Sequence, residues 1–179
     1  MLGEGFGAAL RHLGIDHRTV AYVEREAAAA AQLVALMEAG CLDFAPVWSD
    51  LLTFDGDRWR GKVDCIVAGF PCQDISAAGR GEGITGARSG LWREFARIIR
   101  EVGPRYVFVE NSPLLTKRGL HVVLGDLAEM GYDAEWGVLG AHHTGAPHKR
   151  ERIWIFAYAE WLSEREEPCS GAAGRMGRG

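Results

Sequence analysis

The stretch VDCIVAGFPCQ, residues 63–73, decides the fold class of this 179-residue chain. The run Val63–Phe70 is mostly apolar and contains β-branched side chains, which predicts a buried strand. Gly69 and Pro71 close the strand, and Cys72 follows at its carboxyl end. Open α/β sheets bind their ligands at that edge, so the stretch predicts a sheet strand that delivers a cysteine to a ligand site.

Strands and helices alternate on both sides of this stretch. The apolar runs Thr19–Val23 and Tyr106–Val109 predict two more buried strands. Three segments with helix-forming composition or helical periodicity, each followed by a glycine, predict helices over Ala27–Ala39, Leu91–Val102 and Leu120–Met130. The alternation predicts an α/β, doubly wound domain in which helices cover a parallel sheet.

The two ends of the chain depart from that alternation. The opening residues MLGEGFG, 1–7, predict a glycine turn that leads into a helix ending at about Leu13, with no strand before it. Near the other end, Ala134–Leu139 and Ile153–Ala157 predict two strands that pair antiparallel at a sheet edge. After about Trp161 the chain is charged and then rich in Gly and Arg, which predicts a disordered tail.

Composition excludes several classes of protein. The 20 Lys and Arg against 24 Asp and Glu give a net charge of −4, which excludes a uniformly basic nucleic-acid coat but leaves room for a local basic site. Apolar runs are far shorter than the roughly 18–20 residues that cross a bilayer, and no signal segment is present, so we expect a cytoplasmic protein. The cysteines form no C-x-x-C pair, so we expect neither a structural zinc site nor a disulfide framework.

Polar side chains follow the predicted strands. Cys72 precedes a loop with five glycines between Gly79 and Gly90 and suits a nucleophile, although its position alone favours a buried structural cysteine. Glu110 ends the next strand at the same sheet edge, where a carboxylate acts as a general acid or holds a nitrogenous ring; a helix cap or surface acid is the alternative. Arg150 and Arg152 alternate, so on a strand both face one way and bind carbonyl or phosphate oxygens, unless they form a charged edge face.

Two further carboxylates suit a nucleotide. Glu24 ends the first strand about twenty residues after the glycine turn, where nucleotide-binding α/β folds place the acid that binds ribose hydroxyls. Asp50 stands close to a possible next strand end and suits the amino group of an adenine. Each signal is weak when taken alone.

Taken in order, these segments resemble the DNA cytosine-5 methyltransferase family from about Gly3 to Ala157. The resemblance is carried by GFPCQ-x-x-S (residues 69–76), the Glu110-Asn111 pair and KRER-I (149–153). It implies a Rossmann-like S-adenosylmethionine-dependent methyltransferase fold, with a mostly parallel sheet, an antiparallel C-terminal hairpin and the first strand missing.

The resemblance also implies roles for individual residues. Cys72 attacks C6 of a cytosine flipped out of double-stranded DNA. Glu110 binds N3 and the exocyclic amine, Arg152 binds O2, and Arg150 supports the active-site loop or the DNA. The implied S-adenosyl-L-methionine ligands are Gly3, Gly5, Glu24, Asp50, Leu51, Phe70 and Pro71. The implied DNA contacts are Gln73, Ser76, Arg80 and Arg88.

Several positions depart from the family pattern. Met1 begins inside the glycine turn, His148 stands where the family has glutamine, and Ser112 stands where it often has valine. We therefore expect a partial catalytic domain over residues 1–160, a tail over 161–179 and no target-recognition domain. Three hypotheses stay open: a methyltransferase of bacterial or phage origin that needs a second chain for recognition, a non-catalytic remnant, and a module that only binds nucleotide or DNA.

Overall fold

The computed structural model describes residues 2–70 and 90–160. Five helices occur in these ranges: α1 (Leu2–His12), α2 (Ala27–Glu38), α3 (Gly90–Val102), α4 (Leu115–Arg118) and α5 (Leu120–Glu129). The strands of the same ranges are β1 (Tyr22–Val23), β2 (Val47–Trp48), β3 (Cys65–Gly69), β4 (Tyr106–Asn111), β5 (Tyr132–Gly140) and β6 (Glu151–Ala159). Short 3-10 turns follow at Leu51–Thr53, Asp57–Trp59 and Ala141–Thr144.

The three predicted helices are confirmed as α2, α3 and α5, with ends within one residue of the predicted ones. Gly103 and Gly131 follow α3 and α5 with φ of +60° and +79°, a backbone region that glycine enters at little cost. The predicted strands at residues 63–70 and 106–109 are confirmed as β3 and β4.

The strands form two sheets. β1 and β2 pair in parallel, and the other sheet has the order β3-β4-β6-β5. Its β3–β4 pair is parallel, whereas β4–β6 and β6–β5 are antiparallel, so the prediction of a mostly parallel sheet is wrong. The predicted antiparallel C-terminal hairpin is confirmed, but of its two strands only β5 lies at the edge of the sheet. β6 enters the interior because its residues Ile153, Ile155 and Ala157 are fully buried beside β4.

The predicted first buried strand is largely wrong. Only Tyr22 and Val23 pair with β2, and the side chain of Val23 is exposed. Thr19, which the prediction included, instead donates its backbone N–H to the Asp43 carboxylate at 2.7 Å. A two-residue pairing buries too little surface to give the strand two covered faces.

The predicted glycine turn at the N-terminus is also wrong. Gly3 and Gly5 lie inside α1, both are exposed, and a Cβ built on either meets nothing within 4 Å. The helix forms because Leu2, Phe6 and Leu10 recur at helical spacing, and burial of that face offsets the low helix propensity of glycine. Phe6 packs on Phe108 of β4 with ring centroids 5.2 Å apart.

The main core lies between the four-stranded sheet and the helices on one of its faces. It contains fully buried side chains of α3, β4, α5 and β6, among them Ile99, Val107, Leu127 and Ile155. The other face carries an aromatic row in which Phe108 stacks on Trp154 at 5.5 Å and Phe6 of α1 covers Phe108. Within residues 2–70 and 90–160, no helix has the length and apolar character needed to cross a membrane.

Candidate active site

A cleft of about 370 Å³ opens where β3 and β4 end and β6 begins. Its lining residues come from three neighbouring segments: Phe70, Glu110, Asn111, Ser112, Arg150 and Arg152. Four of these six, Phe70, Glu110, Arg150 and Arg152, were predicted from the sequence as site residues. Because β3 and β4 are parallel and β6 runs antiparallel to β4, the ends of β3 and β4 and the start of β6 meet at one sheet edge.

Glu110 is the acidic group of the cleft. It lies opposite Gly69 in the β3–β4 register, and a Cβ on Gly69 would stand 3.1 Å from its Oε2. The missing side chain at residue 69 therefore leaves room for the carboxylate. Glu110 Oε1 lies 2.6 Å from Arg152 Nε, and both side chains are partly buried, so the ion pair is shielded from bulk water on one side.

The two arginines reach the cleft differently from the prediction. Arg152 lies in β6, and its Nη1 donates to the Glu151 carbonyl at 2.8 Å. Arg150 precedes the strand and has φ of +34°, an uncommon value for a residue with a side chain. The expectation that both alternate on one strand face is therefore wrong, although both line the same cleft. The left-handed turn at Arg150 brings its side chain to the cleft from outside the strand.

Asn111 also lines the cleft, and nothing in the sequence indicated a role for it beyond its place beside Glu110. Its side chain is 2 % exposed, its Nδ2 donates to the Phe70 carbonyl at 3.2 Å, and its Oδ1 accepts from the Ser112 backbone N–H at 2.7 Å. The amide thus fastens the end of β4 to the residue that precedes Pro71 and Cys72. The signal available in the sequence was an amide directly after a predicted strand-end carboxylate.

Phe70 is held from a second side. Its ring centroid lies 5.9 Å from that of Trp92 in α3, and Trp92 is anchored by donating its indole N–H to Asp126 of α5 at 2.6 Å. Both ends of Phe70 are thereby fixed, the backbone by Asn111 and the ring by Trp92. The other predicted residues of this region, namely Pro71, Cys72, Gln73, Ser76, Arg80 and Arg88, lie outside the described residues.

The predicted nucleotide carboxylates form a separate group. Glu24 follows β1 and Asp50 follows β2, and neither lines the cleft. The Glu24 N–H donates to the Trp48 carbonyl at 2.9 Å, which joins the ends of the two strands. Glu24 Oε1 accepts from the Glu26 N–H at 2.8 Å and Asp50 Oδ1 from the Leu52 N–H at 2.9 Å. These bonds orient the two carboxylates and use one oxygen of each, which fits a nucleoside with hydroxyl and amino donors.

Gly3 and Gly5 lie in α1, which packs at the end of β3. The Leu2 side chain lies 3.6 Å from the Cβ position of Gly69, so the start of α1 packs at the end of β3. Leu51 opens the 3-10 turn that follows Asp50. The glycines, Leu51 and the carboxylates therefore lie on different elements.

Cys65 opens β3, at the end of the strand opposite to the cleft. Burial, together with the neighbouring Asp64 carboxylate, raises the pKa of its thiol from 9.0 to about 12, so it stays protonated at neutral pH. It is therefore a poor nucleophile. In the described part of the chain, no group of three or more His, Cys, Asp or Glu side chains is arranged to hold a metal ion.

The fold and the site together define the class of protein. It is a mixed α/β domain with a carboxylate–guanidinium pair at its strand ends. Residues 5–170 match the family model described as C-5 cytosine-specific DNA methylase, and the chain belongs to this family. It is 38 % identical over 119 residues to the type II methyltransferase M.Sau3AI of Staphylococcus aureus, covering 61 % of this chain and 29 % of that protein. It is 29 % identical over 166 residues to the orphan methyltransferase M.Rho11sI of Bacillus phage rho11s, covering 90 % and 32 %.

Solved structures support the fold. The methyltransferase Dnmt2 of S. pombe superposes with a TM-score of 0.67 at 17 % identity, covering 97 % of this chain and 55 % of that one. A putative DNA modification methyltransferase from an E. coli prophage gives 0.59 at 20 % identity, covering 84 % and 42 %. The chain thus matches about a third of the length of these curated relatives and about half of these solved chains.

Proposed function

We propose that the chain is the catalytic part of a DNA cytosine-5 methyltransferase, which transfers a methyl group to C5 of a cytosine in double-stranded DNA. The observation that carries the proposal is the Glu110–Arg152 pair, 2.6 Å apart, in a cleft that Phe70 also lines. Phe70 immediately precedes Pro71 and Cys72 in the sequence, so the proposed nucleophile follows a residue of this cleft by two positions. Membership of the cytosine-C5 family supports this reading of the pair.

The residue types suit the chemistry of this base. C5 of cytosine is a weak nucleophile until an adduct forms at C6, so we assign Cys72 the attack in which Sγ bonds to C6. As this bond forms, the electron pair of the C5–C6 double bond shifts through C4 to N3, which takes a proton from the Glu110 carboxyl group, while Arg152 donates a hydrogen bond to O2. C5 takes the methyl group, whose donor would leave as the neutral thioether, and the N3 proton returns to Glu110. A base then removes the C5 proton as the Sγ–C6 bond breaks, which restores the C5–C6 double bond and releases the thiolate.

We assign S-adenosyl-L-methionine to the group formed by Glu24 and Asp50. Its adenosine carries two ribose hydroxyls and an exocyclic amine, which are the donors that two oriented carboxylates with a remaining oxygen each accept. When bound, it supplies the methyl group. Gly3, Gly5, Leu51, Phe70 and Pro71 complete the proposed set of cofactor-binding residues.

The DNA contacts belong to the proposal as well. Gln73, Ser76, Arg80 and Arg88 are assigned to the DNA strand around the flipped base, and Arg150 to the support of the cleft or the DNA backbone. A second polypeptide that reads the target sequence is also part of the proposal.

Transfer of a labelled methyl group to DNA tests the proposal. We expect Cys72→Ser to reduce incorporation to background, because serine lacks the soft thiolate that adds to C6. Cys65→Ser is the matched control, since the pKa of about 12 keeps the Cys65 thiol out of the chemistry. Incorporation by Cys72→Ser at the rate of the Cys65→Ser control would refute the assigned mechanism.

A further inference from the structure

The segment that carries Asp50 is shaped by its own hydrogen bonds. The Asp50 carbonyl accepts from the Thr53 N–H at 3.1 Å, and the Asp50 carboxylate caps the same turn through the Leu52 N–H at 2.9 Å. The Trp48 indole N–H donates to Thr53 Oγ1 at 3.1 Å. These bonds give residues 50–53 a defined form, but all of them are local to residues 48–53 and none attaches the turn to the rest of the domain.

Arg97 of α3 supplies that attachment. Its Nη2 donates to the Leu51 carbonyl and its Nη1 to the Phe54 carbonyl, both at 3.1 Å. One guanidinium therefore spans the 3-10 turn that Asp50 opens and Phe54 closes. The planar fork of arginine allows two separate carbonyls to be held at once, which a single ammonium cannot reproduce.

The guanidinium is itself held in place. Arg97 Nε bonds Glu94 at 2.7 Å, and Nη1 bonds the two oxygens of Glu101 at 2.8 and 2.7 Å. Glu101 also accepts the Gly56 N–H at 3.0 Å, which ties the chain beyond the turn to the same helix. All three side chains are partly buried, which limits the competition from water.

Apolar contacts fix the same connection. Phe54 is 9 % exposed and packs with Ile98 and Val102 of α3, with Leu51 against the edge of the cluster. A Cβ on Gly56 would approach the Glu101 side chain to 2.8 Å, so the backbone lies close against the helix. The turn after Asp50 is thus seated on α3, and Arg97 is its polar anchor.

From this geometry we propose that Arg97 is a positioning residue for the nucleoside site, holding the Leu51–Thr53 turn so that the Asp50 carboxylate meets the adenine amino group. The inference rests on the proposed function, because it takes Asp50 as the acceptor of that amine. Arg97 touches no substrate in this assignment and acts through the backbone that carries Asp50.

Selectivity for the base tests the inference, with calorimetric titration of the full chain by S-adenosylhomocysteine and by S-inosylhomocysteine. The second probe carries an oxygen where the first has the amine, so an oriented Asp50 rejects it. We expect the wild type to bind S-adenosylhomocysteine about tenfold or more tightly than S-inosylhomocysteine, which corresponds to one charged hydrogen bond. In Arg97→Gln we expect the ratio of these two affinities to fall toward one.

Two more variants make the result decisive. Arg97→Lys keeps the positive charge beside Glu94 and Glu101 but cannot span both carbonyls, so we expect it to fold and still to lose the ratio. Arg93→Gln replaces an exposed arginine of the same helix, and it should keep the wild-type ratio.

Equal losses of affinity for both probes in the Arg97 variants, with the ratio intact, would show a merely structural role and overturn the inference. A ratio of one in the wild type would overturn both the inference and the assignment of Asp50 to the adenine amine. Because this result needs no variant, it distinguishes failure of the proposed function from failure of the inference about Arg97.

Discussion

Two neighbouring residues, Gly69 and Arg152, set the position of the Glu110 carboxylate. Gly69 leaves the space and Arg152 supplies the positive charge at 2.6 Å. Glu110, Arg150 and Arg152 were predicted as site residues, because a carboxylate at a strand end and a pair of arginines can be recognised from the sequence alone. The contact of Gly69 with Glu110 was not predictable, because it depends on the register of β3 against β4.

The space at Gly69 yields a prediction. Gly69→Ala would place a Cβ 3.1 Å from Glu110 Oε2, so the carboxylate must shift, and we expect methyl transfer to fall about tenfold or more. Gly137→Ala is the control, because a Cβ there in β5 meets nothing within 4 Å. Steady-state rates of labelled methyl transfer compare the two, and equal rates would contradict the assigned role of this space.

Asn111 yields a prediction about stability. Asn111→Asp removes the donor that serves the Phe70 carbonyl and sets a charged oxygen beside it, in a position only 2 % exposed. We expect the free energy of unfolding to fall by about 1–3 kcal/mol or more, the cost of a buried group left without its hydrogen bond. Urea denaturation measures it, with Ser112→Ala as the control; a loss no larger than that of the control would speak against the tether.

At the scale of elements, the predictable parts were those with strong periodicity. α3 has apolar residues at helical spacing, and β3 and β4 are short apolar runs between turn residues, so their local patterns agree with their burial. The position of β6 was not predictable in the same way, because an edge strand and an interior strand differ in their neighbours and not in their period. The error at α1 came from reading Gly3 and Gly5 as a turn when Leu2, Phe6 and Leu10 already set a helical face.

The helical state of these glycines yields a prediction. Gly5 lies inside α1, is exposed, and a Cβ on it meets nothing within 4 Å. Gly5→Ala should therefore raise the free energy of unfolding by roughly 0.5–1 kcal/mol, the difference in helix propensity. Thermal unfolding followed by circular dichroism measures the change. A clear destabilisation would instead mean that residue 5 needs a conformation that only glycine adopts.

At the scale of the whole molecule, α3 connects the two groups of site residues. Its Trp92 packs on Phe70 at the cleft, and its Arg97 holds the turn after Asp50. β1 and β2 form a sheet separate from β3–β6, so this helix is one physical link between the proposed nucleoside group and the cleft. The sequence predicted α3 and the residues of both the nucleoside group and the cleft. It did not predict that α3 connects them, because Arg97 has the pattern of an ordinary charged residue on a helix surface.

The stability of the whole molecule should decline in alkali. Burial raises the pKa of Cys65 from 9.0 to about 12, so between these values the folded chain keeps a proton that the unfolded chain has lost. The free energy of unfolding then falls as the pH rises above about 9, by up to about 1.4 kcal/mol per pH unit. Tyr132, whose pKa burial raises from 10.0 to about 12, adds a loss of the same sign above its unfolded value.

Cys65→Ala isolates the contribution of the thiol to this decline. The variant is expected to be less stable than the wild type near neutral pH, because it loses buried volume, but its stability should fall less steeply between about pH 9 and pH 11. Urea denaturation across this range supplies both slopes, and Tyr132 contributes equally to each. Parallel slopes would contradict the assigned protonation of Cys65.

The central claim, that this chain brings Cys72 to C6 of a flipped cytosine, is tested most directly by covalent trapping. Duplex DNA with 5-fluorocytosine at the target base blocks the loss of the C5 substituent, so the thiol bond to C6 persists after methyl transfer. With S-adenosylmethionine and a random-sequence pool of such duplexes, we predict a denaturation-resistant adduct whose mass maps to the peptide that contains Cys72, absent in Cys72→Ser and retained in Cys65→Ser. An adduct mapped to another residue, or one that survives in Cys72→Ser, would contradict the account.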